Sequence, residues 1–212
     1  MKHYDDNFAH DYLPSFELQP NYIHNLPEFQ QPEMLNCVER LLDYHVHSGN
    51  GNAICLRTFE TTWTYQELYE KANQIAHVLV DDLHLKSGNR VLIRSANNPM
   101  MVACWFAILK AGGIVVATMP LLRSKELTTI IDCAEISHAL CDIELADEMN
   151  LVQSDFLKEV SFFRNSTVEQ LIQSKPKSFT NYHSKSDSVA LIGFTSGTTG
   201  LPKMTAHFHA DI

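Results

Sequence analysis

Apolar and polar positions follow regular spacings along most of this chain, and each spacing predicts a type of secondary structure. Apolar residues three or four positions apart predict helices over about 33–47, 65–82, 98–111 and 124–134. Short apolar runs bounded by turn-forming residues predict strands over about 53–56, 90–94, 114–118, 139–141 and 189–194. Strands that alternate with helices and are apolar throughout indicate βαβ units. The expected fold class is therefore α/β, with a mainly parallel sheet covered by helices.

Two predicted helices carry a recognisable start signal. Thr64 and Glu67 have the spacing of a capping box, in which the hydroxyl accepts from an amide three residues on and the carboxylate reaches back. Ser124 is expected to cap the helix that follows it, because serine is a common N-cap residue. These signals place the helix starts close to residues 64 and 124.

The longest apolar stretch runs from Pro99 to Leu122 and contains a single charged residue, Lys110. Its length is enough to suggest a membrane span. However, Gly112 and Gly113 divide the stretch in the middle, and glycine pairs interrupt helices. A buried helix followed by a buried strand explains the stretch better, and no membrane span is expected.

The pattern divides the chain into three regions. Residues 1–32 lack a sustained period and are expected to form an arm that wraps around the remainder. Residues 33–185 hold the α/β units. A polar segment over 174–188 extends across the next boundary and is expected to be a surface connection. Residues 186–212 hold the last strand, a glycine-rich loop and the start of a further subdomain.

Composition and charge narrow the class of protein. With 212 residues, 45% of them apolar, the chain can build a sizeable core. The net charge of −9 argues against binding to nucleic acid, which normally needs a basic face. The five cysteines show no C-x-x-C spacing, and no apolar leader follows Met1, so reduced thiols and a cytoplasmic location are expected.

The segment from Thr195 to Lys203 carries the most specific chemical signal. Gly197 and Gly200 allow backbone conformations in which successive N–H groups converge on an anion. Lys203 adds a positive charge, and hydroxyls come from Thr195, Ser196, Thr198 and Thr199. A flexible surface loop is the simpler alternative, but the position directly after an apolar strand favours phosphate binding. The segment lacks the G-x-x-x-x-G-K-[ST] string of P-loop NTPases.

The loop Phe194–Lys203 resembles the signature loop of the AMP-forming ligase superfamily, which comprises acyl- and aryl-CoA synthetases, luciferases and peptide-synthetase adenylation domains. Three upstream segments agree with that family in order and spacing: Trp63–Leu68, Gly88–Ile93 and Leu109–Gly113. The resemblance extends over nearly the whole chain from about Pro14.

Two further segments, 115–123 and 206–209, are most similar to 2-aminobenzoate–CoA ligases and related aryl-CoA ligases. Met204 and Ala210 depart from the pattern, because many relatives have Gly at the first position and close relatives tend to have Arg at the second. Neither departure lies in the phosphate loop itself. Both weaken the assignment of an aromatic acid as substrate.

The resemblance implies that a small aryl or acyl carboxylic acid is activated with ATP as an acyl adenylate and then transferred to coenzyme A. It implies that the phosphates are bound, with Mg²⁺ sharing their charge, by Thr195, Ser196, Gly197, Thr198, Thr199, Gly200 and Lys203. His207 and His209 would lie beside the substrate channel or cap the next helix.

The resemblance also implies that the chain is the N-terminal part of such a ligase. The motifs for adenine, ribose and acidic Mg²⁺ binding, and the lysine of the C-terminal domain, are absent up to Ile212. No catalytic residue is therefore assigned within the chain, and the isolated chain is expected to be inactive. In such a ligase, the remaining parts of the protein would cover apolar surface of this N-terminal part. Self-association of the isolated chain through that surface is therefore expected.

A metal site is not expected, and two alternative functions stay open. The pairs His45/His47 and His207/His209 are candidate metal ligands, but side chains two positions apart on a helix-like segment diverge, so no metal site is expected. The chain could be a non-catalytic remnant that serves as a nucleotide-binding or interaction module. It could also be a peptide-synthetase-type adenylation domain, which passes the acyl group to a carrier protein.

Overall fold

The computed structural model describes residues 4–19, 26–195 and 202–212. Their strands are β1 (Ile54–Arg57), β2 (Thr62–Thr64), β3 (Arg90–Arg94), β4 (Ile114–Thr118), β5 (His138–Asp142), β6 (Glu159–Phe163), β7 (Val189–Thr195) and β8 (Lys203–Phe208). The α-helices are α1 (Phe8–Asp11), α2 (Tyr65–His77), α3 (Pro99–Lys110), α4 (Ser124–Cys133), α5 (Ala146–Asn150) and α6 (Thr167–Leu171).

Segments of π-helix and short 3₁₀ turns complete the fold. A helix over 37–50 contains the π-helical stretches Glu39–Asp43 and Val46–Asn50, and a third such stretch, Val78–Asp82, extends α2. Single 3₁₀ turns lie at Phe16–Leu18, Pro27–Phe29, Ile143–Leu145, Ile172–Ser174 and His209–Asp211. The α2 extension agrees with the predicted helix over 65–82.

The main sheet has six strands in the order β6-β5-β3-β4-β7-β8. The five strands from β6 to β7 are parallel, and β8 is antiparallel to β7. Strands β1 and β2 form a separate antiparallel pair. The predicted α/β class with a mainly parallel, helix-covered sheet is confirmed.

Successive side chains of the central strands point to opposite faces of the sheet and pack into two cores, one on each face. In β3, Val91 and Ile93 pack in the core that includes α2 and α3, whereas Leu92 packs in the core that includes α4. All five residues of β3 are buried. This burial on both faces is why the strand is apolar throughout its centre instead of alternating.

The capping box at the start of α2 is confirmed. The Glu67 amide donates to Thr64 Oγ1 at 3.2 Å, and the Thr64 amide donates to Glu67 Oε2 at 2.7 Å. The prediction that Ser124 caps α4 is wrong, because Ser124 is the first helical residue. Its amide donates to Glu148 Oε2, so a carboxylate brought in from α5 satisfies the free donor instead of a local hydroxyl.

The apolar stretch 99–122 contains the helix α3 and the strand β4, as predicted. Asn98 caps α3 by accepting from the Met101 amide at 2.9 Å, and Gly112 follows the helix with a φ of 80°. A Cβ atom at Gly112 would lie 2.6 Å from the Tyr182 ring. Both the positive φ and this short distance therefore require glycine. Among the described residues, no helix is long and apolar enough to cross a membrane.

One predicted boundary is wrong, and one predicted connection makes a contact that the sequence did not indicate. The helix predicted from residue 33 begins at residue 37, since Met34 forms an antiparallel bridge with Lys185. The segment 174–188 is mostly irregular and accessible, as expected of a surface connection, but it also makes a buried contact. Asn181 donates to Asp43 at 2.6 Å and accepts from Lys110 at 3.1 Å, which ties the segment to a buried ion pair.

The N-terminal residues pack along the sheet where the parallel strands begin. Phe8 and Ala9 of α1 are buried, and Asp6 forms a 2.6 Å ion pair with Arg90 at the start of β3. The division into regions 1–32, 33–185 and 186–212 stays a prediction. Strands β7 and β8, from the third of these regions, belong to the same sheet as β3 to β6.

Candidate functional site

The glycine-rich segment connects β7 to β8, and the two strands form a hairpin. The register pairs Thr195 with Lys203, so the two ends of the connection lie directly opposite each other. Strand β8 was not predicted from the sequence, where the residues after the loop were interpreted as the start of a further subdomain. The predicted phosphate-binding residues Ser196, Gly197, Thr198, Thr199 and Gly200 lie outside the described residues.

Thr195 and Lys203 present their side chains on the same side of the hairpin. Directly opposed residues in an antiparallel pair share a face, with their Cβ atoms roughly 5 Å apart. Both residues are exposed. None of the ion pairs among the described residues involves Lys203. The pair therefore offers a hydroxyl and an ammonium group to an anion in solvent.

The hairpin connection lies at the carboxyl edge of the parallel sheet. Strand β7 is parallel to β4, so Thr195 and Thr118 end their strands at the same edge. This edge is where open α/β sheets bind ligands. A cavity of about 310 Å³ opens there, lined by the ends of β3 and β4, the residues that follow them and α3, including Ser95, Met101 and Met119.

A buried carboxylate organises this edge, and the sequence analysis did not identify it. Asp142, at the end of β5, is 1% exposed and accepts from Asn98 at 3.2 Å, from Ser95 at 3.4 Å and from Arg164 at 3.2 Å. Asn98 in turn caps α3. The sequence offered a signal for Asn98 only, because a polar residue before proline at a helix start is typical of an N-cap.

The two histidines after the loop lie in different environments. His207 is exposed on β8, whereas His209 follows the strand and is 1% exposed. His209 Nε2 lies 3.3 Å from Tyr4 Oη, and its Nδ1 accepts from the Cys37 amide at 3.3 Å. Burial lowers the pKa of His209 to about 4. Their implied position beside a substrate channel stays a prediction.

Neither histidine pair converges on a common point as metal ligands would. His45 stacks on Tyr65 with ring centroids 4.3 Å apart, while His47 contacts the ring of Tyr69 edge-on. In the part of the chain that the structure describes, no three His, Cys, Asp or Glu side chains are grouped to hold a metal ion.

A larger cavity, of about 730 Å³, lies at the opposite end of the hairpin. Its walls include Phe16 and Phe29 from the N-terminal residues and Phe208 and Asp211 from the end of β8. It is larger than the cavity at the carboxyl edge, but the strand direction places it away from Thr195 and Lys203. Of these two cavities, only the smaller one lies at the edge that carries the hairpin connection.

Comparison with known proteins finds relatives of this chain in sequence and in overall fold. YtcI of Bacillus subtilis, an uncharacterized acyl–CoA ligase, is 30% identical over 154 residues, which are 71% of this chain and 29% of that protein. The crystal structure of the anthranilate CoA ligase AuaEII in complex with anthranoyl-AMP superposes with a TM-score of 0.76 at 22% identity, over 85% of this chain and 35% of that one.

The crystal structure of ATP-bound MatB from Rhodopseudomonas palustris superposes with a TM-score of 0.74 at 24% identity, over 82% of this chain and 35% of that one. The chain thus spans about a third or less of the length of each of these proteins. The AMP-binding enzyme family matches residues 44–212, which include both strands of the hairpin and the connection between them. The chain belongs to the AMP-binding enzyme family.

Proposed function

We propose that the β7–β8 hairpin is the phosphate-binding element of an ATP-dependent, AMP-forming acid–thiol ligase. The observation that carries the proposal is the register that sets Thr195 opposite Lys203, at the carboxyl edge of a parallel sheet. Family membership and the likeness to a structure described as ATP-bound support ATP as the nucleotide.

In the proposed reaction, the oxygen of a carboxylate attacks the α-phosphorus of ATP, which gives an acyl adenylate and releases pyrophosphate. The thiol of coenzyme A then attacks the acyl carbon and releases AMP. The chain would contribute mainly positioning and charge stabilisation. Lys203 and the hydroxyl of Thr195 would hold the β- and γ-phosphates, together with the groups of residues 196–200.

Mg²⁺ fits this arrangement without a cage of protein ligands. It is usually held by phosphate oxygens, water and one or two carboxylates, and the described residues offer no ready-made cluster of acidic ligands. When bound, Mg²⁺ would neutralise part of the phosphate charge. Lys203 would neutralise another part from the protein side.

The proposed substrate is a small aryl or acyl carboxylic acid, with 2-aminobenzoate the first to test. The segments 115–123 and 206–209 support an aryl acid, and the superposition with an anthranilate CoA ligase agrees in fold. A cytoplasmic location is proposed with it, since coenzyme A and ATP are both available there.

The first test is an ATP titration of the chain with the melting temperature as readout. We expect ATP with Mg²⁺ to raise the melting temperature of the wild type, and Lys203→Ala to weaken apparent binding at least about tenfold. Lys125→Ala is the matched control, because Lys125 is also exposed but lies on α4. A wild type without ATP-dependent stabilisation, or equal binding by all three proteins, would refute phosphate binding.

Two further assays separate the remaining alternatives. We propose that the chain alone releases no pyrophosphate with any aryl acid, whereas a longer protein that contains it does. Detection of pyrophosphate from the isolated chain contradicts the first part. In the longer protein, acyl transfer to a carrier protein and not to coenzyme A would identify a peptide-synthetase-type adenylation domain, and binding without any turnover a non-catalytic module.

Self-association stays a prediction. Exposed apolar side chains occur in the N-terminal residues that border the larger cavity, where Phe16 is 87% and Phe29 55% exposed. Apolar surface of this kind is typical of contact sites. Light scattering that shows only monomer at high concentration would count against it.

A further inference from the structure

The N-terminal residues 4–12 precede the region that matches the family, yet they contact the hairpin that carries the proposed phosphate loop. Several contacts hold them to the sheet and to the turn before β3, and two of these contacts matter here. The first is the ion pair between Asp6 and Arg90, at the start of β3. The second is Tyr4, which is 4% exposed and reaches the start of β7.

Tyr4 joins both strands of the hairpin at its base. Its hydroxyl donates to the carbonyl oxygen of Val189, the first residue of β7, at 3.1 Å. The same oxygen lies 3.3 Å from Nε2 of His209, which follows the last residue of β8. One side chain from the N-terminus therefore bridges the beginning of one strand and the end of the other.

The hydrogen bonds define the tautomer of His209. The Tyr4 proton is directed to Val189, so its oxygen accepts from Nε2–H of the imidazole. The unprotonated Nδ1 accepts from the amide of Cys37, at the start of the helix over 37–50. The neutral imidazole thus satisfies two partners from two different parts of the chain, and its own amide donates to Ser188 at 3.0 Å.

The base of the hairpin is also where the register of the two strands is set. From Leu191 to Thr195 the pairing with β8 is regular, but it shifts between Val189 and Leu191. Such an irregularity inserts an extra residue on one strand and has to be held in place. Among the described residues β8 pairs only with β7, so its register depends on that pairing and on the contacts at its end.

Register matters for the proposed phosphate site because successive side chains of a strand point to opposite faces. A slip of β8 by one residue would turn Lys203 to the other face, away from Thr195. Strand β8 is mostly exposed, so burial of its side chains opposes such a slip only weakly.

We propose that Tyr4 and His209 are positioning residues that fix the register of β8 and thereby hold Lys203 opposite Thr195. They act at the base of the hairpin, at the other end from the loop, and the side chain of neither is proposed to touch the nucleotide. The proposal rests on the proposed function for its consequence in ATP binding, but the register itself can be measured without ATP.

The test compares Tyr4→Phe and His209→Gln with the control His138→Gln. His138 is also a buried histidine with both ring nitrogens near partners, Ser137 Oγ at 2.7 Å and the Leu83 carbonyl at 2.9 Å, but it lies on β5. Hydrogen exchange of the amides of β8 and β3 is measured in each protein, and each is titrated with ATP and Mg²⁺.

We expect Tyr4→Phe and His209→Gln to speed exchange in β8 about tenfold while exchange in β3 changes less, and to weaken ATP binding by a similar factor. We expect His138→Gln to leave the β8 protection and the ATP affinity close to the wild type. Unchanged β8 exchange in both hairpin variants, or the same change in the control, overturns the proposal. Faster β8 exchange with full ATP affinity overturns the link to Lys203.

A wild type that does not bind ATP refutes the proposed function separately. The exchange data then still decide whether Tyr4 and His209 hold the register of β8, because that measurement needs no ligand.

Discussion

The centre of the sheet and its β8 edge are built in opposite ways. Every residue of β3 is buried, whereas four of the six residues of β8 are exposed. Apolar burial of both faces fixes the centre. At the edge, β8 is held by one neighbouring strand and by polar contacts at its end. Most of the stability of the sheet therefore comes from its centre, and the β8 edge stays accessible to a ligand.

Two cations at the carboxyl edge show the same difference. Arg94 ends β3, is 2% exposed and donates to the Pro120 carbonyl at 3.1 Å, so its charge serves the loop after β4. Lys203 begins β8 at the same edge and is exposed. The Arg94 side chain is therefore directed to backbone carbonyls inside the protein, although its Nη1 has no hydrogen-bond partner among the described residues, whereas the exposed Lys203 remains available to a phosphate.

The largest effect on stability is expected in the centre. Leu92→Ala removes a fully buried side chain from β3 and should lower the free energy of unfolding by about 4 kcal/mol. Met204→Ala on β8, which is half-buried, should cost about 1 kcal/mol. Urea unfolding of both variants measures the difference. Equal losses would mean that the edge is as tightly packed as the centre.

The base of the hairpin should make stability depend on pH. Burial lowers the pKa of His209 from 6.5 to about 4, so between these pH values the unfolded chain binds a proton that the folded chain does not. Stability is therefore complete above pH 6.5 and falls by roughly 3 kcal/mol as the pH drops to 4.

Unfolding curves between pH 4 and 7 for the wild type and His209→Gln check this prediction. The difference between the two proteins isolates His209, because burial also lowers the pKa of His138 and both proteins retain that residue. Parallel pH profiles would show that His209 is not held neutral.

A smaller effect is expected where the N-terminal residues rest on the sheet. Gly88 has a φ of 85°, and a Cβ there would lie 2.0 Å from the Asp6 carbonyl oxygen. Gly88→Ala should therefore displace residues 4–6 and cost about 2 kcal/mol. Gly49 has a similar φ of 89° with nothing within 4 Å, so Gly49→Ala measures the backbone strain alone.

Limited proteolysis of the N-terminus, together with thermal unfolding, distinguishes these two glycine variants. Faster cleavage is expected only for Gly88→Ala. If Gly49→Ala is cleaved equally fast, the displacement does not come from contact with Asp6.

The smallest effect on stability is expected at the proposed phosphate site itself. Lys203→Met removes an exposed charge that has no ion-pair partner among the described residues, so the free energy of unfolding should change by no more than about 0.5 kcal/mol. Thermal unfolding without nucleotide measures it. A larger loss would assign Lys203 a structural role and weaken the contrast between edge and centre.

The buried centre could be predicted from the sequence almost to the residue. The bounds of β3 and β4 are those predicted, because strands buried on both faces leave continuous apolar runs. The edge strands β6 and β8 were missed. Glu159 and Lys203 begin them, and their half-exposed patterns carry too little apolar signal to be distinguished from a loop.

The proposed phosphate loop was predicted from its glycines, hydroxyls and lysine, but its setting in the fold was not predicted. No local pattern connects Tyr4 to Val189 or His209, which are more than 180 residues away along the chain. His209 looked like a residue of a substrate channel or a helix cap, since a histidine beside an apolar residue has the same local pattern whether it is buried or exposed.

The sequence by itself determined the α/β class and the parallel core, and it predicted the chemistry of the Thr195–Lys203 connection, because burial and backbone freedom are encoded by neighbouring residues. Only the tertiary structure decided that the connection lies between antiparallel strands at the sheet edge, with Thr195 opposite Lys203. It alone brought Tyr4, Cys37 and His209 together, because contacts between distant segments depend on how the whole chain packs.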